Sequence, residues 1–216
     1  MAIVIFIHWR WSLNVTTALY ATVRMFLQLT LVGFFLIFIF KQANAVMISG
    51  ILVIMILVAA WIAVRPLKER RLIEYPKALI AFSIGCPVTL ALMIKGVINL
   101  HPWYDPKYII PLAGMVFSQA MNCLSLAAER FHSDMAVGQK ASAAKGIALK
   151  TALIPITNAF FAVGLVSIPG MMTGQILAGI SPLVAVRYQM MILAMLYGAG
   201  GITAAVYLSL QKVRPS

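Results

Sequence analysis

Long apolar stretches separated by short polar segments form the hydropathy pattern of this chain. A bilayer core of roughly 30 Å requires about 20 consecutive apolar residues in a helix. Six stretches approach or exceed that length, at residues 18–40, 45–64, 78–98, 108–128, 151–178 and 188–210. The apolar residues 1–7 would rise only about 10 Å as a helix. The pattern predicts an all-α, polytopic integral membrane protein of one domain, residues 1–216, with about six transmembrane helices and a truncated N-terminal apolar stub.

The composition supports a membrane location for the chain. Hydrophobic residues make up 62% and charged residues 10% of the 216 residues, against roughly 45–50% and 25% in average globular proteins. A soluble domain of this size could not bury so much apolar surface. The net charge of +12 therefore indicates membrane topology rather than nucleic-acid binding, and we expect no nucleic-acid partner.

The basic residues indicate the orientation in the bilayer, because cytoplasmic loops carry an excess of Lys and Arg. If residues 65–77 and 129–150 are cytoplasmic loops, twelve of the 17 basic residues lie on the cytoplasmic side. Three basic residues lie on the opposite side, and Arg24 and Lys95 remain inside predicted spans. The chain is expected in the bacterial inner membrane with its C-terminus cytoplasmic, while the topology of residues 169–187 stays open.

Motifs for autonomous chemistry are missing from the sequence. There is no G-x-x-x-x-G-K-[ST] phosphate loop, so we expect no ATP hydrolysis by this chain. Only five acidic residues are present, all outside the predicted spans, whereas proton-coupled carriers use carboxylates within the membrane. The sequence therefore predicts a protein that is not an enzyme, has no cofactor of its own and receives energy from another chain.

Polar residues within two predicted spans are candidates for a transport route. Arg24 and Gln28 share one helix face; Arg24 either has a functional role or snorkels to the headgroups. A polar stripe at helical spacing in the fourth span either lines a hydrated pathway or forms interhelical hydrogen bonds. The stripe consists of Ser118, Asn122, Ser125 and Glu129.

The segment 163–178 combines Pro169 with small residues at Gly170 and Gly174. It is either a broken helix at a substrate route or a kinked helix that packs closely. Met171 and Met172 in this segment are soft thioethers that suit metal ions, or are adaptable apolar packing residues.

Several ordered motifs resemble the FetB-like ABC transporter permease family, which includes bacterial iron-export permeases and plant aluminium-sensitive and aluminium-resistance permeases. The main one is GLVSIPGMMTGQILAG at residues 164–179, followed by Ser181-Pro182 and AVRYQ at residues 185–189. Others are PWYDP at residues 102–106, IPLAGM at residues 110–115 and ALIP at residues 152–155. The resemblance covers residue 22 to the C-terminus.

The resemblance implies a permease subunit that pairs with a separate ABC ATPase, which binds the ATP, and that forms a homodimer in the lipid bilayer. Bacterial members are assigned to metal export, especially of iron, and plant relatives to aluminium tolerance and nucleotide-sugar transport, so the cargo is a metal ion or a small solute. The expected route or gate residues are Arg24, Gln28, Ser118, Asn122, Ser125, Pro169, Gly170, Met171, Met172 and Gly174.

The ATPase is expected to dock on the predicted cytoplasmic segment 129–150, through Glu129, Arg130, Gly138, Lys140, Lys145 and Lys150. Two departures from the family pattern bear on this expectation. A complete first span is replaced by residues 1–7, and the acidic half of the cytoplasmic loop is absent between Asp134 and Gly138. The alternative is a shortened, non-transporting membrane scaffold or degenerate permease.

Overall fold

The computed structural model describes residues 15–41 and 44–211. This part of the chain is helical and contains no β-strand, which confirms the predicted all-α polytopic class. The helices are α1 (Val15–Lys41), α2 (Ala45–Ala63), α3 (Arg71–Met93), a π-helical turn (Ile94–Ile98), α4 (Pro106–Ala136), α5 (Ala141–Ala162), α6 (Gly170–Leu177) and α7 (Pro182–Ser209). The predicted stub at residues 1–7 lies outside the described residues.

The chain divides into two units, Met1–Asn44 and Ala45–Ser216. The first contains α1, whose 27 residues give a length of about 40 Å, enough to cross a bilayer. The Thr30 hydroxyl on α1 donates a hydrogen bond to the Phe26 carbonyl oxygen at 3.0 Å, so this polar group has a partner within the helix. Arg24 and Gln28 lie one turn apart on α1.

The second unit is a bundle in which α4 packs against α2, α3, α5 and α7. The most extensive helix contact is that of α4 with α7, followed equally by those of α3 with α7 and of α4 with α5. Across both units, five helical segments of the described chain are long and apolar enough to cross a membrane. They are Leu19–Phe40, Ala45–Ala63, Arg71–Ile98, Pro106–Ala136 and Pro182–Ser209.

Two glycines allow α7 to approach its neighbours closely. A Cβ atom at Gly200 would lie 2.6 Å from Cys123 Sγ on α4. A Cβ atom at Gly85 on α3 would lie 3.0 Å from the backbone nitrogen of Thr203 on α7. The centre of the bundle therefore depends on small residues, as is typical of helix packing in membranes.

The segment predicted as the second cytoplasmic loop has a different structure from the one expected. The segment 129–150, predicted as a cytoplasmic loop, is largely helical, because α4 continues to Ala136 and α5 begins at Ala141. Its non-helical part is the turn at residues 137–140, where Gly138 has a φ of 81°. Alanines at positions 141, 144, 148 and 152 form a buried face on α5, which packs against α4 and α7.

The stretch predicted as a fifth span, residues 151–178, contains a break between two helices. Helix α5 ends at Ala162, and α6 begins at Gly170. Gly164 has a φ of 81°, a conformation that glycine adopts without strain, and Pro169 precedes the first residue of α6 as its N-cap. The eight residues of α6 span about 12 Å, too short to cross a bilayer.

Candidate functional site

A large cavity opens beside α6, and we call it the α6 cavity. Its volume is about 850 Å³. Its walls come from the end of α3 and the π-helical turn, the loop that follows, the first turns of α4, and from α6 and α7. The residues that matter for its chemistry are Met93, Asn99, His101, Asp105, Lys107, Met115, Met171, Gln175 and Tyr188.

The lining of the α6 cavity contains more neutral side chains with ligand donor atoms than charged side chains. Met93, Met115 and Met171 place three thioether side chains in the lining. The Oε1 atom of Gln175 is buried and has no hydrogen-bond partner in the described part of the chain. Because an unsatisfied buried acceptor is costly, Gln175 is a candidate for ligand contact if its side chain turns towards the cavity.

The single carboxylate in the cavity lining already has a local role. Asp105 caps α4, and its Oδ1 atom accepts a hydrogen bond of 3.0 Å from the Lys107 backbone nitrogen. The adjacent His101 places Nε2 3.1 Å from Asn99 Oδ1. The lining therefore offers amide, imidazole and thioether groups beside one lysine, rather than a cluster of acids.

The structure tests the two readings of the segment around Pro169. A Cβ atom added to Gly170 or Gly174 would meet no atom within 4 Å in the described chain, so these glycines do not mark close helix packing there. Instead, the Pro169 carbonyl oxygen accepts from the Thr173 backbone nitrogen at 3.0 Å and from its hydroxyl at 3.2 Å. Pro169 and Gly170 thus start a new short helix.

The paired methionines of α6 face different spaces. Met171 lines the α6 cavity, whereas Met172 lines a smaller cavity of about 260 Å³ together with Pro169 and Gln189. Gln189 is 7% exposed, and its Oε1 atom also has no hydrogen-bond partner among the described residues. Helix α6 therefore lies between two cavities, and each is lined by a glutamine whose amide oxygen is buried and unpaired among the described residues.

At the other end of α3, a buried polar cluster forms around Glu74. We define the Glu74 cluster as Glu74, Lys77, His132, Lys145, Tyr207 and Gln211. Glu74 is only 3% exposed. Its Oε2 atom accepts hydrogen bonds from the Tyr207 hydroxyl at 2.8 Å and from Gln211 Nε2 at 2.7 Å. Its Oε1 atom accepts from Lys77 Nζ at 2.8 Å.

The remaining members of the Glu74 cluster connect it to two more helices. Lys77 Nζ also donates to Gln211 Oε1 at 2.9 Å. Lys145 Nζ, from α5, donates to the Gln211 backbone carbonyl at 3.0 Å. His132 Nε2, from α4, lies 3.6 Å from Glu74 Oε1. The cluster therefore joins α3, α4, α5 and the C-terminal end of α7.

The Glu74 cluster was missed from the sequence. Glu74 falls in the segment 65–77 that charge counting assigns to a loop, whereas the structure places it in the first turn of α3. Its partners at positions 207 and 211 are more than 130 residues away. The available signal was the scarcity of acids, since one of only five lies three residues before a lysine at helical spacing.

Of the predicted docking residues, Lys145 is the one that belongs to the Glu74 cluster. Arg130 forms an ion pair with buried Asp134 on the same helix, with Nη2 3.1 Å from Oδ1. Glu129 and Lys150 are exposed on α4 and α5, and Gly138 and Lys140 lie in the exposed turn between these helices.

The polar stripe of α4 lies apart from the α6 cavity. Ser125 donates to the carbonyl oxygen of Ala63, the last residue of α2, at 2.7 Å, which satisfies an acceptor at a helix end. Ser118 donates to its own helix, to the Met115 carbonyl oxygen at 3.0 Å. Asn122 is exposed. Ser125 thus has the interhelical role that was one of the two alternatives for the stripe.

The long apolar helices and the apolar bundle surface define a multi-span integral membrane protein. The sequence profile described as "Uncharacterised protein family (UPF0014)" matches residues 1–214, and the chain belongs to this family. It is 33% identical to the UPF0014 membrane protein slr1647 of Synechocystis, over 95% of this chain and 87% of that protein.

Two further relatives confirm the resemblance found in the motifs. The chain is 31% identical to the "Probable iron export permease protein FetB" of Escherichia coli, over 90% of this chain and 80% of that protein. It is 30% identical to the protein ALUMINUM SENSITIVE 3 of Arabidopsis thaliana, over 86% of this chain and 72% of that protein. No solved structure matches the chain.

Proposed function

We propose that this chain is the membrane-spanning permease subunit of an ABC transporter and that it exports a metal ion, such as iron, or a small solute. ATP binding and hydrolysis take place on a separate ATPase subunit. Two copies of the chain form the transport unit in the bacterial inner membrane, with the C-terminus in the cytoplasm. The name of the FetB relative and the absence of a phosphate loop from the sequence support this proposal.

The observation that carries the proposal is the α6 cavity. Its volume of about 850 Å³ lies within the roughly 300–1,000 Å³ range of ligand pockets. It lies beside a short helix that follows a break in the chain, and discontinuous helices commonly form binding sites in transporters. The thioether of Met171 and the unpaired Gln175 oxygen are the cargo contacts in this proposal.

The Glu74 cluster couples the ATPase to the bundle in this mechanism. The proposed docking segment includes the turn at residues 137–140 and the first turns of α5. Lys145 in this segment bonds to the end of α7, and Gln211 there bonds to Glu74 on α3. Glu74 and Met93 lie about 28 Å apart along α3, so a rigid shift of α3 would carry motion at the cluster to the α6 cavity.

Co-expression with an ABC ATPase subunit from the same organism tests the proposal. We expect the two chains to co-purify and, in proteoliposomes, ferrous iron or another cargo to stimulate ATP turnover. Gln175→Leu should retain the ATPase but lose the stimulation. Lys145→Gln should reduce basal ATP turnover, whereas Lys68→Gln, a change at an exposed lysine outside the docking segment, should not.

Two outcomes would contradict the proposal. Failure to co-purify, together with unchanged ATP turnover, would remove the ABC assignment. Stable assembly without cargo-dependent ATP turnover or metal efflux would favour the alternative, a non-transporting scaffold. The short turn at residues 137–140 is compatible with that alternative.

A further inference from the structure

A third cavity, a largely apolar groove, lies on the bundle between α2, α3 and α4. Its volume is about 200 Å³. Leu90, Ile109 and Phe117 form its floor and are almost fully buried. Leu52 on α2 and Pro87 on α3 form parts of its walls. The groove is separate from the α6 cavity and offers no polar atom along its floor, so its occupant there must be hydrocarbon.

A single lysine stands at the end of this groove. Lys95 lines it from the π-helical turn Ile94–Ile98, and such π-helical insertions are frequent at functional sites. The side chain of Lys95 is exposed and forms no hydrogen bond or ion pair among the described residues. It lies near one end of the membrane-spanning segment Arg71–Ile98, where a lysine amine reaches the lipid headgroups.

No carboxylate among the described residues forms an ion pair with Lys95. Of its five acidic residues, Glu74 and Asp134 are buried and paired. Glu69 and Glu129 belong to the segments near the opposite end of the bundle. Asp105 caps α4. The described residues therefore leave Lys95 without a paired counter-charge, which an anionic ligand would supply.

Trp103 marks the level of the headgroups beside the groove. It lines the groove, is 42% exposed and makes an edge-to-face contact with Tyr104, with ring centroids 5.9 Å apart. Trp and Tyr are enriched where a membrane protein meets the interface between lipid and water. An apolar groove, a free lysine and an interfacial tryptophan together match one amphiphilic ligand.

We propose that this groove binds one anionic phospholipid, with an acyl chain along Leu90 and Phe117 and the phosphate on Lys95. The ligand is a structural lipid and is distinct from the transported cargo, so the inference does not depend on the proposed transport function. Apolar burial holds the acyl chain, and the lysine selects a net negative headgroup over a zwitterionic one.

Native mass spectrometry of the purified full chain tests this inference. The protein is mixed with equal amounts of phosphatidylglycerol and phosphatidylcholine, and the bound lipid is measured after mild detergent removal. We expect one phosphatidylglycerol to be retained preferentially. Lys95→Gln should reduce its retention about fivefold, and Lys95→Arg should restore it. Lys107→Gln, which changes another lysine at the same end of the bundle but outside this groove, should leave retention unchanged.

A second variant tests the apolar part of the site. Ala91 also lines the groove, so Ala91→Trp should fill it and displace the lipid although Lys95 is present. Excess inorganic phosphate should not displace the lipid, because it lacks the acyl chain. Equal retention of the two lipids, or unchanged retention in both Lys95→Gln and Ala91→Trp, would overturn the inference.

Discussion

Replacing Glu74 by alanine should destabilise the bundle more than any exposed substitution at the same end. The change removes the acceptor of three hydrogen bonds, from Lys77, Tyr207 and Gln211, at 2.7–2.8 Å. Tyr207 is fully buried, so its hydroxyl would lose its partner without gaining access to water. The loss of stability therefore comes mainly from the buried donors that lose their acceptor.

The expected loss follows from the contacts of Glu74. A hydrogen bond to a charged group contributes about 1.5–3 kcal/mol, but the three contributions do not add fully. After the substitution the Lys77 side chain, which is 27% exposed, either keeps its 2.9 Å bond to Gln211 Oε1 or turns to water. Breaking a buried ion pair by removing one partner costs about 3–5 kcal/mol, and we expect Glu74→Ala to fall in that range.

The assay is an unfolding titration in mixed detergent micelles followed by circular dichroism. Glu69→Ala is the matched control, because Glu69 is an exposed carboxylate five residues away and should change the free energy of unfolding by less than about 0.5 kcal/mol. A double-mutant cycle with Tyr207→Phe should show coupling of about 0.5–3 kcal/mol between the two positions. Equal stability of Glu74→Ala and Glu69→Ala would refute the structural role assigned to the cluster.

Two other contacts give predictions of stability, each measured in the same titration. Gly85→Ala should cost about 1–3 kcal/mol, because the new Cβ would lie 3.0 Å from the Thr203 backbone nitrogen, whereas Gly50→Ala, with nothing within 4 Å, should not destabilise. Equal effects of these two alanines would contradict the close packing of α3 on α7. Ser125→Ala should cost about 1 kcal/mol through loss of the 2.7 Å bond to the Ala63 carbonyl, and an unchanged midpoint would show that water replaces that bond.

The fold class was predictable because hydropathy is a local property. Each long apolar segment must form a helix within a bilayer, because only then are its backbone N–H and C=O groups hydrogen-bonded, whatever its neighbours are. Family membership was predictable for a similar reason, since ordered motifs such as residues 164–179 lie within one stretch of sequence. The sequence could not decide whether the helix breaks at residues 163–169, because a proline and nearby glycines also fit a kinked helix that packs closely.

The candidate sites were less predictable because tertiary packing forms them. The α6 cavity was anticipated only at Met171, while Met93, Met115 and Gln175 reach it from other parts of the chain. Glu74 was assigned to a loop because charge counting treats every ionisable residue near a span as solvated. Its burial depends on donors from α7, which no local pattern around position 74 reveals.

The long sequence separation within the Glu74 cluster also has a consequence for biogenesis. The carboxylate is synthesised early, whereas its donors Tyr207 and Gln211 lie in the last helix and just after it. Until α7 is delivered, Glu74 has Lys77 of its own helix as a partner but lacks the donors Tyr207 and Gln211. Insertion of the individual helices can therefore proceed during synthesis, but the bundle can close at this end only after the final helix has been delivered.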